Sequence, residues 1–203
     1  MKKSGILLFA ATLALVSAAA TAQAPTRMWV RGTITGLDGD VLSVKSREGK
    51  DLKITLAPKL GVRAAKAITM AEIKPGDFVG PASRKRADGA LVAISLQVFP
   101  PDRRGIVPEV HIPWDLEPGS LMTNGIIGGI VQTTGGRELT LEYKGGSQKV
   151  IVPEGTPMFT TVPGDRSLLV KGAYVVMNTA VAADGTISTA GLTVSKDGVK
   201  PAN

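Results

Sequence analysis

The chain repeats itself at an offset of about 96 residues, and any fold has to accommodate that repeat. The matching pairs at this offset are Gly76 and Gly172, Asp88 and Asp184, Gly89 and Gly185, and Leu96 and Leu192. Gly32 and Gly125 open the two copies at an offset of 93, which indicates a few residues inserted in the first turn of the second copy. An ordered set of matches hardly arises by chance, so the two halves are predicted to share one fold.

Each copy has the pattern of short β-strands. Apolar and polar residues alternate along residues 30–36 and 52–56, the period-2 mark of a half-buried strand. Asp38-Gly39 is a tight-turn dipeptide, because Gly accepts the positive φ that such turns require. About five strands are expected per copy, with the longest connection between strands three and four. In the first copy, residues 60–72 have room for one helical turn or a short helix; Pro and Gly disfavour a helix in residues 155–169.

Five short strands with a long connection between strands three and four suit a small antiparallel barrel of the OB type. A closed barrel also removes the exposed edges of an open sheet. We therefore predict an all-β fold of two tandem five-stranded OB-like antiparallel barrels, at residues 27–100 and 122–198. A Pro-rich linker at residues 101–121 joins them. The alternative is a β-sandwich spread over both halves.

Residues 1–22 have the pattern of a cleavable secretory signal peptide. Lys2 and Lys3 form a positive start, residues 6–16 are apolar, and Ala20-Thr21-Ala22 fits a cleavage site. The apolar run is shorter than the roughly 20 residues that span a bilayer. We expect a periplasmic protein with no transmembrane span after cleavage.

The composition excludes several chemistries. The chain has no Cys and a single His, which rules out a thiol nucleophile, a disulfide scaffold, a Cys-ligated zinc site and an Fe–S cluster. Ser120 lacks a nucleophile-elbow pattern, and the Gly-Gly pairs lack the Lys-Ser/Thr of a phosphate loop. We therefore predict a protein that is not an enzyme and has no resident cofactor.

The ordered motifs resemble an exported bacterial family of tandem small β-barrel (OB-like) domains of unknown function, of a proteobacterial type. The motifs are Gly32-Thr33-Ile34, Asp38-Gly39, Lys74-Pro75-Gly76-Asp77-Phe78-Val79, Asp88-Gly89 and the apolar strand Ile94 to Val98. The second copy departs from the pattern at Ala173, where the family has Asp. The resemblance covers nearly the whole mature chain and implies fold and export, but no activity.

The linker carries the residues that stand out chemically. It holds His111, Trp114 and Asp115, and its prolines make it stiff and extended. One interpretation is a β-like or polyproline strap that packs across the two barrels through its apolar residues. We also expect a cleft between the barrels, with these three residues as candidate ligand contacts. The protein is thus predicted to be a non-enzymatic binding or scaffold protein for a small ligand or an envelope protein.

A second hypothesis is a Cu(I) or Ag(I) site formed by His111, Met122 and Trp114. Imidazole and thioether ligands suit these soft cations, and the face of Trp can cover a cation. The chain is similar to a family of periplasmic Cu(I)/Ag(I) chaperones in fold type and ingredients. The ligands of that family lie on barrel strands, whereas His111 and Trp114 lie in a linker, so no ligand is carried over.

A third hypothesis starts from the uneven charge. Residues 27–100 hold 13 basic and 7 acidic residues, and Arg84, Lys85 and Arg86 form a dense basic cluster. This patch would suit anionic envelope surfaces, such as lipid head groups or acidic glycans. A solvated basic loop that aids solubility is the alternative. Nucleic-acid binding is not expected, because the first copy has few aromatic residues for base stacking.

Overall fold

The computed structural model describes residues 24–202, and its fold is all-β. The strands are β1 (Thr26–Asp38), β2 (Val41–Ser46), β3 (Asp51–Ala67), β4 (Phe78–Lys85), β5 (Leu91–Val98), β6 (Val110–Trp114), β7 (Ser120–Thr133), β8 (Gly136–Tyr143), β9 (Gly146–Pro153), β10 (Met158–Pro163), β11 (Tyr174–Val181) and β12 (Ile187–Val194). Single 3₁₀ turns lie at Met70–Glu72, Pro101–Arg103 and Arg166–Leu168. The predicted signal at residues 1–22 lies outside the described residues.

Five strands close into a barrel, here called ring 1. β1 pairs antiparallel with β2 and β11, β2 with β3, and β11 with β12. A parallel pairing of β12 with β3, from Ile187↔Ile54 to Val194↔Ala64, completes the closure. Inward-facing apolar residues of all five strands fill the interior, among them Val30, Leu42, Ile54, Met177 and Leu192. The alternation seen in the sequence therefore lines a single closed core.

Ring 2 is formed by β4, β5, β9, β8 and β7. Its neighbours pair antiparallel, apart from a short parallel pairing of β5 with β9 at Leu91↔Val150 and Val92↔Ile151. A separate apolar core fills it, with Val79, Leu96, Ile127, Leu139 and Val150 among its members. The chain therefore builds two cores, as its internal repeat leads one to expect.

The two rings exchange strands between the halves of the chain. β1, β2 and β3 of the first half close with β11 and β12 of the second, and β7, β8 and β9 close with β4 and β5. The predicted barrel segments, 27–100 and 122–198, therefore do not correspond to the two rings. The physical reason is the length of β3, which continues to Ala67 and carries the chain from one ring to the other.

Repeat-related turns dock reciprocally into the opposite half. The amide of Gly76 donates to the carbonyl oxygen of Ile127 at 2.8 Å, and that of Gly172 donates to Ile34 at 2.9 Å. Both glycines have a positive φ, which favours glycine over other residues. Equivalent turns thus make equivalent contacts, each with the first strand of the other copy.

The end of β3 pairs with its own repeat-related segment, β10. These two antiparallel strands place Ala65 opposite Thr161, and the two residues are separated by the repeat offset of 96. A pseudo-twofold axis therefore passes through this residue pair. The sequence pattern predicts a connection with one helical turn or a short helix over residues 60–72; β3 instead continues to Ala67, and a single 3₁₀ turn follows at Met70–Glu72. Residues 155–169 contain β10 and another 3₁₀ turn.

The linker lies against ring 2 as an extra strand. β6 pairs antiparallel with β7, from Val110↔Asn124 to Trp114↔Ser120. The Asn124 side-chain amide donates to the carbonyl oxygen of Pro108 at 3.2 Å, which also fixes the segment before β6. A β-like strap is one of the two forms expected from the sequence. Across residues 24–202, no helix has the length and apolar character needed to cross a membrane.

Candidate ligand cavity

A cavity of about 580 Å³ lies between the two rings and under the linker. β1, β3, β11 and β12 of ring 1, β5 and β7 of ring 2, β10 and the linker all contribute to its wall. The lining residues are Trp29, Arg63, Gln97, Phe99, Arg103, Ile106, Val107, Pro108, Val110, Ile112, Trp114, Met122, Asn124, Thr161, Val176, Asn178 and Thr193. Its volume falls in the range of small-molecule sites.

The linker supplies one apolar side of this cavity. Successive side chains of a strand point to opposite faces, so Val110, Ile112 and Trp114 share the face of β6 that lines the cavity. Met122 on β7 is buried beside them, directly opposite Ile112 in the pairing. Trp29 on β1 adds another aromatic side chain to the wall, in contact with Trp114. The wall is thus mainly aromatic and aliphatic.

The two tryptophans of the chain meet at the cavity edge around a buried arginine. The rings of Trp29 and Trp114 pack edge to face, with centroids 5.2 Å apart. The Arg31 guanidinium carbon lies 5.6 Å from the first ring centroid and 5.4 Å from the second, within the range of cation–π contacts. This arrangement fixes both indoles that line the cavity.

An ion pair ties the same arginine to the linker. Arg31 is 3% exposed, and its Nη1 donates to Asp115 Oδ2 at 2.9 Å. Its Nε and Nη2 have no hydrogen-bond partner among the described residues. Arg47 adds a second tie by donating from Nη1 to the carbonyl oxygen of Leu116 at 2.9 Å. These contacts hold the end of the linker against ring 1.

Two arginines give the cavity a positive charge. Arg63 donates from Nε to Thr161 Oγ1 at 2.8 Å, and its Nη1 lies 3.0 Å from Asp102 Oδ2. Arg103, by contrast, has no ion pair or side-chain hydrogen bond with the rest of residues 24–202. The part of the cavity wall that the structure describes contains no Asp or Glu. The cavity therefore presents one uncompensated guanidinium.

A second cavity of about 450 Å³ adjoins the first. The two cavities share the wall residues Trp29, Arg63, Arg103, Val176, Asn178 and Thr193. The rest of the second wall comes from small and aliphatic residues, among them Gly61, Pro163 and Leu192. Both arginines therefore lie at the junction between two spaces.

The structure divides the candidate site residues between two faces of the linker. Trp114 and Met122 line the cavity, whereas His111 does not. The His111 Nδ1 lies 2.9 Å from Thr123 Oγ1, and its ring packs near Tyr143 with centroids 5.9 Å apart. His111 lies on the face of β6 opposite to the one that lines the cavity. The three candidate Cu(I) ligands, His111, Met122 and Trp114, therefore do not converge.

The other candidate contact, Asp115, is engaged with Arg31 and does not line the cavity. Its side chain is half exposed, so it neutralises the buried guanidinium from the protein surface. Among residues 24–202, no group of three or more His, Asp or Glu side chains is placed to hold a metal ion. The ion pair of Asp115 with Arg31 joins the end of the linker to ring 1.

The basic cluster is partly neutralised by carboxylates of the same chain. Arg84 forms a two-point contact with Glu117, at 2.8 Å from Nε and 3.0 Å from Nη2. Arg86 pairs in the same way with Asp88. These hydrogen bonds from the guanidinium groups lower the pKa of Glu117 and of Asp88. Within the described part of the chain, Lys85 is the member of the cluster without an ion pair.

Sequence analysis did not assign to a binding site four of the residues that give the cavity its character: Trp29, Arg63, Phe99 and Arg103. Trp29 carried a signal, since it is one of two tryptophans in the chain. Arg103 lies in a Pro-rich segment whose path over the cavity depends on the exchange of strands. No periodic pattern in the sequence marks it.

Comparisons of the chain with protein-family models, with curated proteins and with solved structures give no significant match.

Proposed function

We propose that this chain is a non-enzymatic, exported binding protein, and that the cavity between the rings is its ligand site. The observation that supports this proposal is the combination of volume and wall chemistry. A space of about 580 Å³ has mainly aromatic and aliphatic walls, and its polar lining side chains are Arg63, Gln97, Arg103, Asn124, Thr161, Asn178 and Thr193. Small-molecule sites commonly have this character. The predicted signal at residues 1–22 supports export to the periplasm.

Each ring is proposed to be an OB-type barrel completed by two strands of the other half. In ring 1 the order β1-β2-β3-β12-β11 has antiparallel neighbours, except for the parallel contact of the third strand, β3, with the fourth, β12. Ring 2 repeats this order with β7-β8-β9-β5-β4. The repeated order supports a pair of related barrels, as in the tandem family that the sequence resembles. The ligand site then lies between barrels.

Binding of N-phenyl-1-naphthylamine tests the proposed site. This uncharged aromatic probe brightens in apolar surroundings and accepts excitation energy from tryptophan. The chain has two tryptophans, and both line the cavity. We expect residues 23–203 to bind the probe at one site, with loss of tryptophan emission and a matching gain of probe emission.

A matched pair of variants locates the probe. Ile112 and Val131 are both partly exposed apolar residues on strands, but Ile112 lines the cavity and Val131 does not. We expect Ile112→Asp to weaken probe binding about tenfold or more, because it places a charge against an apolar ligand. Val131→Asp should leave binding unchanged. Equal effects in both variants, or no energy transfer in the unmodified protein, would contradict the proposal.

The Cu(I) and anionic-surface hypotheses remain predictions. The separation of His111 from Met122 and Trp114 does not favour a shared metal site. The internal pairing of Arg84 and Arg86 leaves less free charge for an anionic surface.

A further inference from the structure

We propose that the ligand is an amphipathic organic anion, with its oxyanion at Arg103 and Arg63 and its apolar body against Trp29, Phe99 and Trp114. This inference rests on the proposed function and specifies the chemical class of the ligand. It is carried by the placement of charge within the cavity.

Arg103 carries a charge that its described neighbours do not neutralise. This side chain is partly buried in the cavity wall, and within the described chain it has neither a carboxylate partner nor a side-chain hydrogen bond. A guanidinium presents several N–H donors in a planar fork, which matches the oxygens of a carboxylate or a phosphate. An oxyanion of the ligand would therefore supply the counter-charge that the protein leaves out.

Arg63 is held in place by hydrogen bonds. Arg63 donates from Nε to Thr161 Oγ1 at 2.8 Å and from Nη2 to the Thr161 carbonyl oxygen at 3.2 Å. Its Nη1 donates to Asp102 Oδ2. Asp102 offsets part of its charge, but Asp102 does not line either cavity. Arg63 thus adds a fixed positive group beside Arg103, and little side-chain entropy is lost when a ligand binds there.

The two arginines lie at one end of the larger cavity's apolar wall. Both line the 580 Å³ cavity and the adjoining 450 Å³ cavity, so they lie where the two spaces meet. The larger space extends from this junction along Phe99, Ile112 and Trp114, whose surfaces are apolar. A molecule with a charged group at one end and an apolar body at the other fits this division.

The walls of the two cavities also disfavour ligands of other charge. The described wall of either cavity contains no carboxylate that could bind a cation. The guanidinium groups of Arg63 and Arg103 would repel a cationic ligand. An uncharged apolar molecule can occupy the walls but leaves Arg103 without a partner. Net preference should therefore run from anion to neutral molecule to cation.

The experiment compares ligands that share a ten-carbon chain. Decanoate, decyl phosphate, decanol and decyltrimethylammonium are each used to displace N-phenyl-1-naphthylamine from residues 23–203. We expect at least one of the two anions to bind about tenfold tighter than decanol, with the cation weakest. The stronger of the two anions identifies the oxyanion as carboxylate or phosphate. Equal affinity for both anions and decanol would overturn the inference.

A charge-removing variant assigns the effect to Arg103. Arg103→Gln should lower anion affinity about tenfold and leave decanol affinity unchanged, because it removes the charge but keeps polarity and much of the volume. Arg27→Gln is the matched control, since Arg27 is exposed on β1 and lines neither cavity. An unchanged anion-to-decanol ratio in Arg103→Gln would overturn the inference.

The two proposals fail in different ways. If the probe does not bind at all, the proposed site itself is wrong. If the probe binds and Ile112→Asp weakens its binding, the proposed site is supported. If the anions then bind no more tightly than decanol, the assignment of an anionic ligand is wrong.

Discussion

At the scale of the residue, Arg31 connects the linker to ring 1 together with Arg47, and it also contacts both cavity tryptophans. Its guanidinium is almost fully buried, and its one ion pair within the described residues is with Asp115. Removing one partner of such a pair is more harmful than its net contribution suggests, because the other charge is left without compensation. The position of the linker therefore depends on a carboxylate that lies at the surface.

Asp115→Asn should lower the free energy of unfolding by about 1–3 kcal/mol, a range that allows for solvent screening of the half-exposed Asp115. Urea denaturation followed by circular dichroism measures this change. Glu48→Gln is the control, since it removes an ion pair with Arg47 in which neither side chain is buried. That variant should change stability by less than about 0.5 kcal/mol. Equal losses in the two variants would contradict a special role for Asp115.

At this scale, sequence reasoning succeeded only in part. Trp114 stood out because tryptophan is rare in this chain, and the structure places it in the cavity wall. His111 stood out for the same reason but faces the other side. Whether residue 111 or residue 112 of an extended segment faces inward depends on strand register, and a linker of unknown partner carries no signal that fixes the register.

At the scale of the element, the first strand of each copy requires a glycine at one position. A Cβ on Gly125 would lie 2.6 Å from the carbonyl oxygen of Glu142, and one on Gly32 would lie closer still to that of Lys45. The obstructing atoms belong to the backbone of the neighbouring strand, so they have little room to move. The repeat offset of 93 between these glycines thus reflects the same close approach of strands in both rings.

Two glycine substitutions on β1 test this requirement. Gly32→Ala should lower the free energy of unfolding by about 2–3 kcal/mol, as expected of overpacking against a fixed neighbour. Gly36→Ala is the matched control, because no atom lies within 4 Å of its added Cβ and its φ is not in the left-handed region. That change should be neutral or stabilise by up to about 1 kcal/mol. Similar melting temperatures for the two variants would contradict the role given to Gly32.

The sequence pattern could predict the strands of the two cores but not the strands between them. The alternation in residues 30–36 and 52–56 is visible because one face is buried and the other is polar. β6 contains Pro113, which weakens a strand prediction, and it is added at the side of β7. β10 lies in a segment interrupted by Pro and Gly, and its partners come from both rings. Tertiary contacts determine these two elements.

At the scale of the molecule, the sequence indicates two five-stranded units but not the exchange between them. Gly76 contacts Ile127 and not the repeat-related Ile34, yet both environments are nearly the same. An exchanged and an unexchanged pair of barrels bury equivalent residues and form equivalent pairs. Only the path of the chain after β3 separates them, and exchange of this kind requires little change in local interactions.

Cleavage of the folded protein in the linker tests the exchange. A protease site placed between Gly105 and Ile106 lies in an exposed loop before β6. After cleavage, the two pieces should elute together from a sizing column under native conditions, because both rings require strands from each piece. Denaturant should be needed to separate them. Two independently folded halves, each with the circular dichroism of a β-protein and each eluting alone, would contradict the exchange and support separate tandem barrels.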